Sequence, residues 1–205
     1  MTNRPTFTRA FDLAVVVPAL AVTAPVQLAV AVAVRRRLGS PILFKQTRPG
    51  LHGKPFTMLK FRTMLEPDEA DGRATDAQRL TPFGAWLRST SLDELPALWN
   101  ILRGDMSVVG PRPLLTRYLD RYSPEQLRRH EVKPGLTGLA QVSGRNRLTW
   151  DERLALDVSY VDSHTVWSDL RIIAMTILPV LLRDGVTGDD TVTMTEFLGN
   201  PTEVA

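Results

Sequence analysis

The chain contains no cysteine. Disulfides, thiolate nucleophiles and cysteine-bound zinc are therefore excluded. Histidine is almost as scarce: His52, His130 and His164 are the only three, and they share no ligand-like spacing. That argues against a zinc enzyme and against a serine–histidine–aspartate hydrolase. There is no P-loop, no internal repeat and no nucleic-acid-binding motif. Lysine is sparse beside arginine, and no basic residue follows Arg183. Chemistry in this chain has to come from carboxylates, hydroxyls and arginines.

What is present is a 205-residue chain, 43% hydrophobic, with a formal net charge of +3. The length suits one modest domain with an appendage. A basic surface serves nucleic acid, anionic lipid or phosphorylated substrates, although a genomic bias toward arginine codons accounts for the charge equally well.

Residues 13–34 form a run of 22 without a charge. At about 1.5 Å per residue such a helix is long enough to cross a bilayer. Both flanks are basic: Arg4 and Arg9 before, and Arg35, Arg36, Arg37, Lys45 and Arg48 after. The positive-inside rule thus keeps both ends in the cytoplasm. Pro25, and secondarily Pro18, removes a helical hydrogen bond and predicts a bend. A re-entrant helix satisfies charge and proline together. A spanning helix and a cleaved signal peptide are the other readings, the last disfavoured by the arginine cluster after the apolar core.

The following residues carry both strand and helix signals. Residues 41–44 and 56–64 predict strands joined through the Gly50 and Gly53 turns, with Lys60 and Arg62 on one strand face. That pair is either functional or a solvated basic face near anionic lipid. The polar stretch 66–78 reads as a surface loop, with room for a ragged helix. Thr81-Pro82 starts a helix with Leu80, Phe83 and Leu87 as its buried stripe. Arg88 falls near the end of that helix, where neutralising the terminus is its bland role.

The central stretch is TSLDELPALWNILRGDMSVVGPRP, residues 90–113. Ser91 and Glu94 have the spacing of a capping box. Pro96 opposes that reading, because it would lie inside the helix, where its missing N–H costs a bond. Starting the helix at Pro96 places Asp93 and Glu94 at its mouth, where the helix dipole favours ionised carboxylate. One carboxylate there can act as nucleophile and the other can hold Mg²⁺. Residues 107–109 predict a strand, and two prolines then restrict Arg112, either as a preorganised phosphate clamp or as a rigid turn.

Ser123 to Gln126 starts another helix, and Arg121, Arg128 and Arg129 read as a solvated or lipid-facing patch. Gly135, Gly138 and Gly144 punctuate a loop that also holds Arg145, a possible phosphate donor; glycines of this kind serve ligand approach or plain turns. Thr149 and Glu152 bracket a capping box before a stripe of Trp150, Leu154, Val158 and Val161, with Asp157 alongside as a ligand or a salt-bridge partner. Residues 172–182 are uncharged but too short to span, so this helix belongs to the core or to a membrane surface. The acidic tail that follows reads as mobile or variable.

Taken together, the proline-interrupted apolar segment, FKQTRPGLHGKPFTMLKFRTM, LRSTSLDELPALWNILRGDMSVVGPRP and KPGLTGLAQVSGR resemble, in order, the bacterial sugar transferase family, the small monotopic phosphoglycosyl transferases. The similarity spans residues 11–182. It implies a re-entrant anchor at 1–38, a cytoplasmic catalytic α+β domain at 39–183 with a small sheet and several helices, and an acidic variable tail at 184–205. It also implies transfer of a sugar-1-phosphate from a UDP-sugar to polyprenol phosphate at the cytoplasmic face of the inner membrane, with UMP released. Asp93 would be the nucleophile of a phosphosugar-aspartyl intermediate, and Glu94, with Asp93, a Mg²⁺ ligand. Arg112 and Arg145 match basic positions that engage phosphate or nucleotide, and Arg88, Lys60 and Arg62 are further candidates. Implied partners are the UDP-sugar, polyprenol phosphate and the bilayer, with a homo-oligomer or downstream glycosyltransferases also possible and no nucleic acid. Many members carry serine-proline at the helix break; this chain has Ala24-Pro25. Two other classes were weighed. A noncatalytic membrane-tethered binding module would need a lost dyad or a degraded loop. A glycoside hydrolase needs acids that flank a glycosidic bond, which sequence neighbours rarely do.

Overall fold

The computed structural model describes residues 4–68, 75–144, 148–182 and 196–199, the side chains of 4–7 and 178–182 excepted. The first helix, α1, runs uninterrupted from Arg4–Arg37 and passes through both Pro18 and Pro25. The expected break at Pro25 is therefore not a break in the helix. Thr23 lies beside the proline; its hydroxyl donates to the Ala19 carbonyl at 2.6 Å and accepts from Gln27 Nε2 at 3.0 Å. This is a back-bonded threonine of the kind that bends helices.

Both arms of α1 seat on the rest of the chain. In the first, Arg9 donates to the carbonyls of Ile101 and Leu102, each at 2.6 Å. Asp12, fully buried, accepts from the Ser107 hydroxyl at 2.8 Å and the Val108 N–H at 2.9 Å. Val16 is buried against Met58, Ala97, Leu98 and Ile101. In the second arm, Val30, Val34 and Leu38 pack with Phe61 and Leu87. Between the arms Val22, Val26 and Leu28 are exposed.

Strands β1 (Leu43–Pro49) and β2 (Pro55–Phe61) form an antiparallel hairpin with Leu43 opposite Phe61 and Arg48 opposite Phe56. The first strand is longer than expected and the second ends earlier, before Arg62. A one-turn helix, α2 (Asp76–Arg79), closes the polar stretch, where a ragged helix was one expectation. Helix α3 (Pro82–Ser89) starts as its sequence predicts: Thr81 is the N-cap, accepting from the Gly84 N–H at 3.0 Å, with Pro82 at the first position. Helix α4 (Ala97–Arg103) begins after Pro96, and β3 (Ser107–Val109) follows it.

Strand β3 pairs in parallel with β4 (Gly135–Thr137). The two backbones lie so close that a Cβ on Gly135 would sit 2.1 Å from the Gly110 N, and one on Gly110 2.4 Å from the Lys133 O. The glycines here serve backbone packing rather than a ligand. Helices α5 (Pro124–Leu127), α6 (Leu139–Ser143), α7 (Trp150–Ser163) and α8 (Val166–Leu182) complete the body. Both expected capping boxes, Ser123 with Gln126 and Thr149 with Glu152, are formed. Helix α8 buries Ile172 and exposes Trp167, Leu170, Met175 and Ile177, so it is neither wholly core nor wholly surface. The described residues hold two two-stranded sheets among many helices, an α+β body with an N-terminal apolar helix.

One part of the tail departs from expectation. Residues 196–199 are seated on the body, with Phe197 buried among Tyr118, Tyr122 and Trp150. The Phe197 N–H donates to the Tyr118 hydroxyl at 3.3 Å, its carbonyl accepts from Arg121, and Glu196 pairs with Arg121 at 2.9 Å and with Arg117 at 3.3 Å.

Candidate active site

The centre of the site is a tight 3₁₀ turn, Leu92–Glu94, between α3 and α4. Ser91 enters it with φ 55° and ψ 14°, the left-handed region, and its side chain caps nothing. The capping-box reading of Ser91 and Glu94 is therefore not realised. Pro96 stands at the N-cap of α4, where its missing N–H costs nothing. The turn leaves two adjacent carboxylates in different electrostatic settings.

Glu94 is locked in an ion-pair fork. Its Oε1 accepts from Lys60 Nζ and from Arg112 Nη2, both at 2.7 Å. Lys60 arrives from β2 and Arg112 from the Pro111-Arg112-Pro113 turn after β3, so the fork ties three segments together. Burial opposes ionisation, but the Arg112 and Lys60 charges and their hydrogen bonds outweigh it and hold Glu94 well below the usual carboxylate range. Asp93 is 7% exposed. Burial, reinforced by the Glu94 charge, pushes its carboxyl up to about 6, while Lys60, Arg112 and Arg88 pull in the opposite direction. For Asp93, desolvation and a like charge outweigh the nearby cations, so its carboxyl titrates above the ordinary aspartate range while remaining mostly ionised at neutral pH. The result is one carboxylate fixed as an anion and a second that is poorly solvated and close to neutral pH in its titration, a division of roles characteristic of reactive carboxylate pairs.

The other expected residues fall in different places. Arg88 donates through Nε to the Thr63 hydroxyl at 3.0 Å, and its charge reaches Asp93. Arg62 is not beside Lys60 on a shared face. The strand ends at Phe61, and Arg62 is buried, donating to the Leu38 carbonyl at the end of α1 and to Glu66 Oε1 at 2.7 Å. Its geometry ties the hairpin to the apolar helix. Arg145 lies outside the described residues. Asp157 is a salt-bridge partner: its Oδ2 accepts from Arg129 Nη2 at 2.6 Å and from Arg129 Nε at 3.0 Å, with both side chains buried.

Arg129 is the residue that sequence reasoning missed. It was grouped with Arg121 and Arg128 as a solvated patch, yet it is 2% exposed and donates to the Arg112 carbonyl at 2.8 Å. Asp157 therefore holds Arg129, and Arg129 holds the backbone of the clamp. Nothing local marks the pair, which is 28 positions apart in sequence. Asn100 is a second missed residue. Wholly buried on α4, it accepts from the Leu59 N–H at 3.0 Å and donates to the Thr57 carbonyl at 2.7 Å, so that α4 and β2 keep Glu94 and Lys60 in register.

Among the described residues no cluster of three or more histidine, cysteine, aspartate or glutamate side chains suits a metal ion. Asp93 and Glu94 offer two adjacent carboxylates, which are hard oxygen donors. That donor set fits Mg²⁺, which is typically held by one or two carboxylates with substrate phosphates and water filling the rest.

Comparison with known proteins gives the family. The pattern of the family described as bacterial sugar transferase matches residues 3–183. An uncharacterized sugar transferase of Bacillus subtilis, EpsL, is 48% identical over 193 residues, covering 94% of this chain and 96% of that protein. A UDP-glucose:undecaprenyl-phosphate glucose-1-phosphate transferase of Caulobacter vibrioides is 43% identical over 188 residues, covering 86% of this chain and 70% of the relative. An undecaprenyl-phosphate galactose phosphotransferase of Salmonella typhimurium is 38% identical over 195 residues, 86% of this chain but 41% of that longer protein. With its matched core, its apolar helix and its paired carboxylates, the chain belongs to the bacterial sugar transferase family.

Proposed function

We propose that the chain transfers a sugar-1-phosphate from a UDP-sugar to a membrane polyprenol phosphate, releasing UMP and forming a polyprenyl diphosphate sugar. The observation that carries this reading is the asymmetry of the dyad. Glu94 is committed to Lys60 and Arg112, whereas Asp93 makes no ion pair among the described residues and is desolvated. In the first step an Asp93 carboxylate oxygen attacks the sugar-bearing phosphorus, the bridging P–O bond breaks, and UMP departs with the electron pair. In the second, a phosphate oxygen of the polyprenol phosphate attacks the same phosphorus and the aspartyl–phosphorus bond breaks, restoring the Asp93 carboxylate. The kinetics of such a scheme are ping-pong.

Desolvation suits Asp93 to nucleophilic attack, because a poorly hydrated carboxylate sheds little water on approach. Arg112, and the Lys60 that shares Glu94 with it, supply positive charge where the diphosphate must lie. A Mg²⁺ ion held by Glu94 and Asp93 would offset charge on that diphosphate. Relatives named for UDP-glucose and for undecaprenyl phosphate support both substrate classes.

The contacts of α1 support a membrane position with both of its ends on one side. A spanning helix would carry one end some 30 Å away, across the bilayer, yet Arg9 and Asp12 near one end and Val34 and Leu38 at the other touch the same body. We read α1 as entering and leaving the cytoplasmic leaflet of the inner membrane, with its exposed middle in lipid and the exposed face of α8 near the surface. Cysteines introduced as Thr2→Cys and Ser40→Cys are then labelled from the same side of sealed vesicles; labelling from opposite sides contradicts the re-entrant arrangement. For the activity, UMP release across a panel of UDP-sugars with polyprenol phosphate is the direct assay. Turnover dependent on Glu94 and Arg112 supports the transferase. Binding without UMP release from any UDP-sugar identifies a noncatalytic module instead.

A further inference from the structure

One cation beside the site is not accounted for by the dyad. Arg48 projects from β1, whose Thr47 carbonyl accepts from the Thr116 hydroxyl at 3.3 Å, so this strand abuts the turn that follows the Arg112 clamp. The Arg48 Nε is sealed from solvent and has no hydrogen-bond partner. Its one hydrogen bond among the described residues runs from Nη2 to the neutral Gln46 Oε1 at 2.5 Å. Burial and then the Arg112 charge push the guanidinium down to about 10. The favourable influences on Arg48 are the charged forms of Tyr118 and Tyr122, two buried phenols, and no carboxylate is among them.

Arg153, on α7 and 5% exposed, is disfavoured first by burial, supported by Asp157, and opposed by Arg112 and Arg129. Of the carboxylates facing this group, Glu94 is engaged by Lys60 and Arg112, and Asp157 by Arg129. Sealing the Nε of a half-buried guanidinium from water without a hydrogen-bond partner, and next to another guanidinium, is unfavourable. Such an arrangement becomes favourable when an oxyanion arrives between the two forks.

We propose that Arg48 is a phosphate-binding residue: its guanidinium and that of Arg112 receive one phosphate group of a substrate. The chemistry recognised is a phosphate oxyanion, from either the nucleotide or the lipid acceptor. This deepens the transferase reading and rests on it only for the source of the phosphate.

The test uses the full chain in lipid nanodiscs, unfolded by heat with and without inorganic phosphate, UMP or a short-chain polyprenyl phosphate. Wild type is stabilised by the phosphate ligands. Because the unpaired cation opposes folding, Arg48→Gln has an unchanged or higher ligand-free midpoint and loses the ligand-induced rise. Its affinity for one phosphate ligand falls by about 10- to 100-fold, the worth of one hydrogen bond to a charged group. Arg48→Lys, with the charge but not the fork, falls between. Loss against UMP with an unchanged KM for the acceptor assigns the nucleotide phosphate; the reverse assigns the acceptor. A ligand-free midpoint lowered by Arg48→Gln, failure of that variant to fold, an unchanged response to all three ligands, or no response from wild type overturns the proposal. Failure of wild type to release UMP from any UDP-sugar defeats the transferase reading alone, since the phosphate titration still reports on Arg48.

Discussion

Replacing Asp93 by asparagine should make the protein more stable while removing its activity. An ordinary aspartyl carboxyl titrates at 3.8, and that of Asp93 is pushed up to about 6. At about 1.4 kcal/mol per pH unit the gap corresponds to roughly 3 kcal/mol of opposition to folding at neutral pH. A carboxyl whose folded-state pKa is raised favours the folded state while protonated. That contribution is complete below the unfolded value and is lost as pH rises through the folded one. The ionised Asp93 is thus a burden above pH 6 that a neutral amide of the same shape relieves. Asparagine keeps a buried polar group that needs partners, so the gain is about 1–3 kcal/mol. For a chain of this size each kcal/mol moves the midpoint by roughly 2–4 °C.

The assay is thermal unfolding of wild type and Asp93→Asn in nanodiscs, followed by tryptophan fluorescence across the pH range. The variant should melt higher at neutral pH, and the difference should close on acidification through pH 6 toward the ordinary aspartate value. A variant less stable than wild type at neutral pH, or an advantage that does not shrink in acid, refutes the assignment of Asp93 as a desolvated, strained nucleophile. The same titration gives UMP release an acidic limb near pH 6 in kcat/KM for the UDP-sugar, because only the ionised carboxylate attacks.

Three further outcomes follow from the packing around the site. Asn100→Leu leaves the buried Leu59 N–H and Thr57 carbonyl without their partner; chemical denaturation should register a loss of about 2–4 kcal/mol, with UMP release falling as Lys60 and Glu94 lose their register. Asp157→Asn strands a buried Arg129 and should cost about 3–5 kcal/mol, read by chemical denaturation. Phe197→Ala empties the aromatic socket formed by Tyr118, Tyr122 and Trp150 and should lower stability by about 3 kcal/mol, read by the same denaturation.

What could be read in the sequence was whatever local chemistry marks. Thr81-Pro82, Ser123 with Gln126 and Thr149 with Glu152 start helices because each cap satisfies N–H groups within the same turn. Pro96 gave the start of α4 for an equally local reason. The pairing of Glu94 with Arg112 and Lys60 was legible only as a collection of residues with suitable chemistry; their meeting depends on a parallel β3–β4 contact and a hairpin that no window of sequence contains. Arg62 was misjudged by alternation, since the strand stops one residue short of it. Arg129 and Phe197 were misjudged because burial is conferred by distant segments: Asp157 from α7 in one case, the aromatic socket in the other. The uninterrupted α1 shows the same limit, for two prolines weaken a helix locally while both of its ends are held by the body.

The central claim is that Asp93 becomes covalently attached to a sugar phosphate. Intact-mass measurement of the full chain incubated with a UDP-sugar and Mg²⁺, without lipid acceptor, tests it most directly. The account predicts a mass increase equal to one sugar phosphate, absent in Asp93→Asn and discharged when polyprenol phosphate is added. Turnover of the same UDP-sugar with acceptor present, but with no adduct in its absence or with an adduct that survives in Asp93→Asn, contradicts it.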